Sequence, residues 1–266
     1  MTAPTPSDSL RHLALAALAE RSWPAKLAAV RAIGDAAHVD PAACLDAPPA
    51  LPGRPDMPPL VPPSQVRQRS VQSVEGRAAL LHALAHIEFN AINLALDAVW
   101  RYTAMPAEFY LDWLRVAREE AYHFELLNDH LGSLGYAYGD FPAHNGLWEM
   151  AEKTCDDLLA RLALVPRTLE ARGLDASPLI RDKLAGAGDA AGAAILEIIL
   201  RDEIGHVAIG NRWYRHLCAQ RQLDPLACYA EMAERYGAPR LRGPFNLAAR
   251  RQAGFDEAEL QALQQG

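Results

Sequence analysis

From residue 73 onward the apolar residues of this chain recur at steps of three and four, the spacing that lines one face of an α-helix. Leu81, Leu84, Ala85, Ala91, Ala95 and Val99 predict a helix over about 74–103, with Ser73 as its cap. TAMPAEF interrupts the pattern, and Pro106 opens a second helix carrying Trp113, Val116, Ala117, Phe124, Leu127 and Leu131. That helix stops in LGSLGYAYGD. A third runs from near Gly146 to about Arg172, with Gly173 as its C-terminal stop, and Ser177-Pro178 starts a short helix. A fourth spans about Asp189 to Cys218 on Leu196, Ile199, Leu200, Val207 and Gly210. Residues 225–264 read as further helix broken at GAPRLRGPFN. No segment alternates with the period of a strand. The pattern predicts an all-α fold around a central four-helix bundle.

Upstream the picture changes. Residues 9–38 read as two short helices, and then nine of the 19 prolines fall between Pro41 and Pro63. Proline at that density excludes helix and inner strand, so this stretch reads as an extended strap. The expected organisation is residues 1–66 as N-terminal helices and strap packed on the bundle, 67–222 as the bundle, and 223–266 as a helical extension. The formal net charge of −7 gives no reason to expect nucleic acid or an anionic membrane as the main partner. Cys44, Cys155, Cys218 and Cys228 form no C-x-x-C pair and suit a reducing compartment. The N-terminus lacks the basic leader of a secretory signal, and no run approaches the ~20 apolar residues that span a bilayer. The expectation is a cytoplasmic protein.

The chemistry appears where acids interrupt the apolar faces. Glu88, Glu120 and Glu203 each stand at a position where the helical stripe calls for an apolar residue. An ionised carboxylate alone in a core costs several kcal/mol, so it must be paired, protonated or bound to a cation. The nearby Arg118 and Arg201 fall off the stripes. Glu120-x-x-His123 and Glu203-x-x-His206 are the chain's two Glu-x-x-His tetrads, and each puts both side chains one turn apart on one helix face. Counting back 32 residues from Glu120 lands on Glu88, and 33 back from Glu203 lands on Glu170. That spacing selects Glu170 over Glu149 or Glu152 and reads as two helical hairpins, each giving one glutamate and then Glu-x-x-His. Four glutamates and two histidines suit two divalent ions, whose charge cancels that of the carboxylates. So oxygen-rich a set favours iron or manganese, or one of each, over structural zinc. Glu119 and Asp202, one residue before each tetrad, are candidates to accept the outer N–H of a ligating imidazole.

These residues resemble the ligand pattern of the ferritin-like di-iron carboxylate superfamily. More narrowly, HALAHIEFNAI, FYLDWLRVAREEAYHF, FPAHNGLWEMAEKT, VPRTLEARGLD and DEIGHVAIGNRWY resemble a bacterial ferritin-like family catalogued as a domain of unknown function, family 455. The resemblance covers about residues 50–256 and implies a ferritin-like bundle. It also implies a metal-dependent oxidoreductase that activates dioxygen or peroxide to hydroxylate or oxidise an organic substrate. Such an enzyme needs a small-molecule substrate and an electron donor as partners, and a homodimer is compatible with it. Two other readings stay open: a non-catalytic metal-binding or scaffold bundle, and a tRNA-modifying hydroxylase, which the net charge disfavours.

Several other residues take plainer roles. His82 and His86 are expected to be hydrogen-bonded or surface histidines, Tyr122 a packing residue, and His144 and Trp148 loop and core. Arg235, Arg240, Arg242, Arg250 and Arg251 either line an entrance for an anionic substrate or pair with surface acids.

Overall fold

The computed structural model describes residues 9–34 and 36–265. Every regular element among them is a helix, and the one β-like contact is an isolated bridge between Leu60 and Ala143. The chain divides into two compact units, residues 1–145 and 146–266.

In the first unit α1 (Leu10–Ala19) and α2 (Trp23–Ala32) precede the long helices α3 (Val74–Arg101) and α4 (Ala107–Ser133). Ser9 caps α1 by accepting from His12 N–H, and Ser73 caps α3 by accepting from Gly76 N–H at 3.0 Å. From Glu88 to Trp100 every residue of α3 is buried, as in a helix enclosed on all sides. Burial is closed at the helix end by Arg11 of α1. Its guanidinium donates to Val99 O at 3.3 Å and Trp100 O at 2.5 Å, a cation set on the negative end of the helix dipole. Tyr110 locks the turn into α4 by accepting from Met105 N–H and donating to Tyr102 O. The proline strap is pinned by backbone bonds: Ala104 N–H to Pro41 O, Gly53 N–H to Leu18 O, and a reciprocal pair joining Pro59–Val61 to Ala143. By length and composition α3 could cross a membrane, but 72% of its most apolar window is buried inside the protein.

The second unit contains α5 (Gly146–Lys153), α6 (Leu158–Leu164), a wide π-helical turn (Val165–Glu170), α7 (Ala171–Gly186) and α8 (Ala190–Gln220). Three short helices follow, α9 (Pro225–Arg235), α10 (Leu247–Gln252) and α11 (Glu257–Gln265). The third predicted helix is therefore corrected. It breaks after Lys153, where Arg161 binds Thr154 Oγ1 and Ala151 O, and it restarts on Asp157, which caps Leu159 and Ala160. Pro166 lacks the N–H that would serve Leu162 O, and Thr168 Oγ1 donates to Ala163 O at 2.9 Å, so the turn widens. The helix then runs through both Gly173 and Ser177-Pro178 instead of stopping and restarting there.

A Cβ on Gly173 would meet nothing within 4 Å. Gly173→Ala should therefore raise unfolding stability by about 0.5–1 kcal/mol, the helix preference of alanine over glycine. Chemical denaturation measures it, and a loss of stability would contradict a continuous α7.

Candidate metal centre

Helices α3 and α4 bring Glu88, Glu120 and His123 together in the first unit. Each offers a ligand atom, and these lie within 4.8 Å of one another. All three are buried, His123 completely. His123 Nδ1 stands 3.4 Å from Glu88 Oε2 and 3.5 Å from Glu120 Oε2. Those separations exceed an ordinary N–H···O bond, yet they are close to the ~3 Å between neighbouring ligands that each sit about 2.1 Å from one ion. The donor set of two carboxylates and an imidazole lone pair fits a divalent cation.

The second unit holds the other Glu-x-x-His tetrad. On α8, Glu203 and His206 are both buried, with His206 Nδ1 3.4 Å from Glu203 Oε1. Glu170 is half-buried and is the last residue of the π-helical turn. Glu119 and Asp202 are also half-buried, and both oxygens of Asp202 accept from Arg201, its exposed neighbour. Arg118 is half-buried and donates to Ile33 O.

The first cluster is electrostatically tense. Burial first, and the Glu120 charge second, push the Glu88 carboxyl up to about 8, against the pull of His123. Burial works against a charged His123, but the Glu120 and Glu88 carboxylates outweigh it and push the imidazole up to about 11. Both values exceed the ordinary 4.5 and 6.5. The protons on these groups thus stabilise the metal-free fold at low pH, and that contribution is lost as pH rises through about 8 and then about 11. A cation entering this cluster must displace them. Titrating the metal-free protein with Mn(II) near pH 7 should release protons, and affinity should rise with pH above 7. Calorimetry in buffers of different ionisation enthalpy reads the release. Proton-neutral, pH-independent binding would mean that the metal sits elsewhere.

The residues given plainer roles are also placed. Tyr122 is 47% exposed, so it does not pack as expected and points away from the buried triad. Arg250 is buried and doubly bonded to Asp175, and Arg251 pairs with Glu257. Arg235, Arg240 and Arg242 are exposed.

His82 and His86 are both buried, one turn apart on α3. His82 Nε2 accepts from Gly139 N–H at 2.9 Å, and His86 bonds Tyr138 and the His144 carbonyl. Burial holds both rings well below the usual histidine range, at about 4 for His82 and about 3 for His86. Tyr138 drew no attention in the sequence because it sits in a glycine-rich loop. What places it there is Gly139, whose φ of +116° few other residues adopt.

Residues 8–261 match the family model described as "Protein of unknown function (DUF455)". A protein of Haemophilus influenzae described as uncharacterized is 55% identical over 213 residues, which cover 77% of this chain and 74% of that one. No solved structure matches the chain.

Proposed function

The chain belongs to the DUF455 family, and from its two buried Glu/His sets we propose that it is a dinuclear metal oxidoreductase of ferritin-like type. Glu88, Glu120 and His123 would supply one half of the centre and Glu170, Glu203 and His206 the other. Glu119 and Asp202 would orient the histidines. Iron is the preferred metal, with manganese or a mixed pair as the alternatives. When bound, such ions supply reductive activation of dioxygen or peroxide, for oxidation of a small organic substrate with electrons from a separate donor.

The observation that carries this reading is the triad on α3 and α4. Buried Glu88 faces the Glu120 carboxylate and the His123 imidazole, and both burial and the Glu120 charge oppose its ionisation. Two adjacent buried carboxyls with an imidazole beside them are a donor set that a divalent cation would neutralise. The chain's own residues shape the surroundings. Phe89 and Phe124, each next in sequence to a candidate ligand, are buried and pack with ring centroids 5.8 Å apart and planes tilted by 53°. The long α3 and α4 fix the ligand spacing, because an acid and a histidine three residues apart cannot leave one face of a rigid helix. Cys44, Cys155, Cys218 and Cys228 are free thiols, in keeping with a cytoplasmic setting.

Metal analysis and oxygen uptake test the proposal together. Protein produced in iron-rich medium should contain two ions per chain, and after reduction it should consume dioxygen. Firmly held metal with no uptake would favour a structural or scaffold role. Zinc alone, or no metal, would overturn the oxidoreductase reading.

A further inference from the structure

Tyr138 sits in the loop after α4 with its hydroxyl 2.8 Å from Nδ1 of His86. The roles in this bond follow from the other side of the ring. His86 Nε2 lies 3.2 Å from the carbonyl oxygen of His144, which can only accept, so Nε2 carries the imidazole proton. In a neutral ring Nδ1 is then a lone pair, and the phenol must donate to it. Other tyrosines are held differently. Tyr110 and Tyr214 donate to backbone carbonyls, and Tyr229 shares its hydroxyl with Thr168.

The surroundings are built to hold this pair. The Tyr138 ring stacks on His82 at 5.3 Å and on His86 at 6.1 Å. Gly139, the next residue, is anchored by its N–H on His82 Nε2. Strap residues Arg54, Pro55 and Pro58 line a partly open pocket of about 30 Å³ beside Tyr138 and His86. On its inner side the same ring meets Phe124 at 5.0 Å and Phe89 at 5.7 Å, the residues adjoining His123 and Glu88. An unbroken run of aromatic contacts thus leads from the phenol to the backbone of the candidate ligands.

We propose that Tyr138 is a redox-active phenol with His86 as its proton acceptor. On oxidation one electron leaves the ring, the phenolic O–H bond breaks, and the proton forms a new N–H bond at His86 Nδ1. The products are a neutral tyrosyl radical and an imidazolium, and the oxidant gains one electron. The phenol's return to the reduced state takes back the same proton. A positioned base matters because a phenol that loses an electron becomes a very strong acid, and a proton with nowhere to go makes the electron hard to remove. In the cell the oxidant would be an oxidised metal centre at the triad, so the natural role rests on the function proposed above. The pair itself does not depend on it.

The test therefore supplies the oxidant from outside. Full-length protein is mixed with hexachloroiridate(IV), frozen and examined by electron paramagnetic resonance. A tyrosyl radical should form, vanish in Tyr138→Phe, and remain in Tyr122→Phe. In His86→Leu the rate of radical formation should fall roughly 100-fold, the low end of what a positioned proton acceptor contributes. His86→Gln should stay slow although its amide oxygen can still accept the bond. In the wild-type radical, exchange into deuterium oxide should reveal one coupled deuteron hydrogen-bonded from His86 Nδ1 to the phenoxyl oxygen, a readout that needs no variant to fold. A radical that survives Tyr138→Phe, or a wild-type radical without that deuteron, would overturn the assignment. A radical at Tyr138 in a chain that binds no metal would leave the pair standing and remove the proposed centre.

Discussion

If the proposed dinuclear centre forms, His123→Ala will hold one metal ion fewer than the native chain and will lose much of the thermal stabilisation that added Mn(II) or Fe(II) confers. His123 is fully buried with Nδ1 turned to two carboxylates, so its removal takes the nitrogen ligand from the Glu88–Glu120 half. An ion present at 100 times its dissociation constant stabilises the fold by about 2.7 kcal/mol. For a chain of this size that is roughly 5–10 °C in melting temperature per ion lost. Glu120→Gln is the companion variant. With ions bound it removes a ligand, so the stabilisation that added metal confers should fall. Without them it takes the carboxylate from beside the buried His123 imidazolium and should destabilise the fold as well. Elemental analysis with calorimetry, each with and without added metal, checks both variants. Unchanged stoichiometry and an unchanged metal-induced shift in His123→Ala would remove that residue from the site.

How far the sequence alone reached depended on whether the deciding contacts were local. Helices α3, α4 and α8 could be read because their signals lie within a few residues: Ser73 as a cap, Pro106 and Asp189 at starts, and acids standing where the stripe wants apolar groups. The tetrads were legible for the same reason, since three-residue spacing on a helix fixes a common face. Residues 146–186 were not, because their exceptions are settled from far away. Pro178 leaves Leu174 O without its helical donor, and Asn246 Nδ2, 72 residues on, reaches that oxygen at 3.2 Å. Arg250 serves Ala171 O in the same manner. With donors arriving from the C-terminal segment, a proline that locally reads as a start becomes tolerable inside a helix. The pairing of Tyr138 with His86 is likewise 52 residues apart and carries no local signature.

Gly210→Ala should weaken both the fold and the proposed metal site without altering any of its proposed ligands. In the second unit α8 passes so close to the π-helical turn that a Cβ at Gly210 would stand 2.5 Å from Pro166 Cβ and 2.8 Å from its Cγ. A proline ring cannot rotate aside, so one of the two elements must move. Forcing a methyl into such a contact costs about 1–3 kcal/mol, or roughly 3–10 °C in melting temperature. The displacement falls where it matters, since Glu170 lies one turn beyond Pro166, and His206 one turn before Gly210. Separating them loosens the second half of the centre, so metal affinity should fall along with stability. Gly173→Ala, which meets no atom, is the matched control and should leave metal binding untouched. If Gly210→Ala melted lower yet bound two ions as tightly as the native chain, the π-helical turn would have no part in the site, and Glu170 would no longer qualify as a ligand.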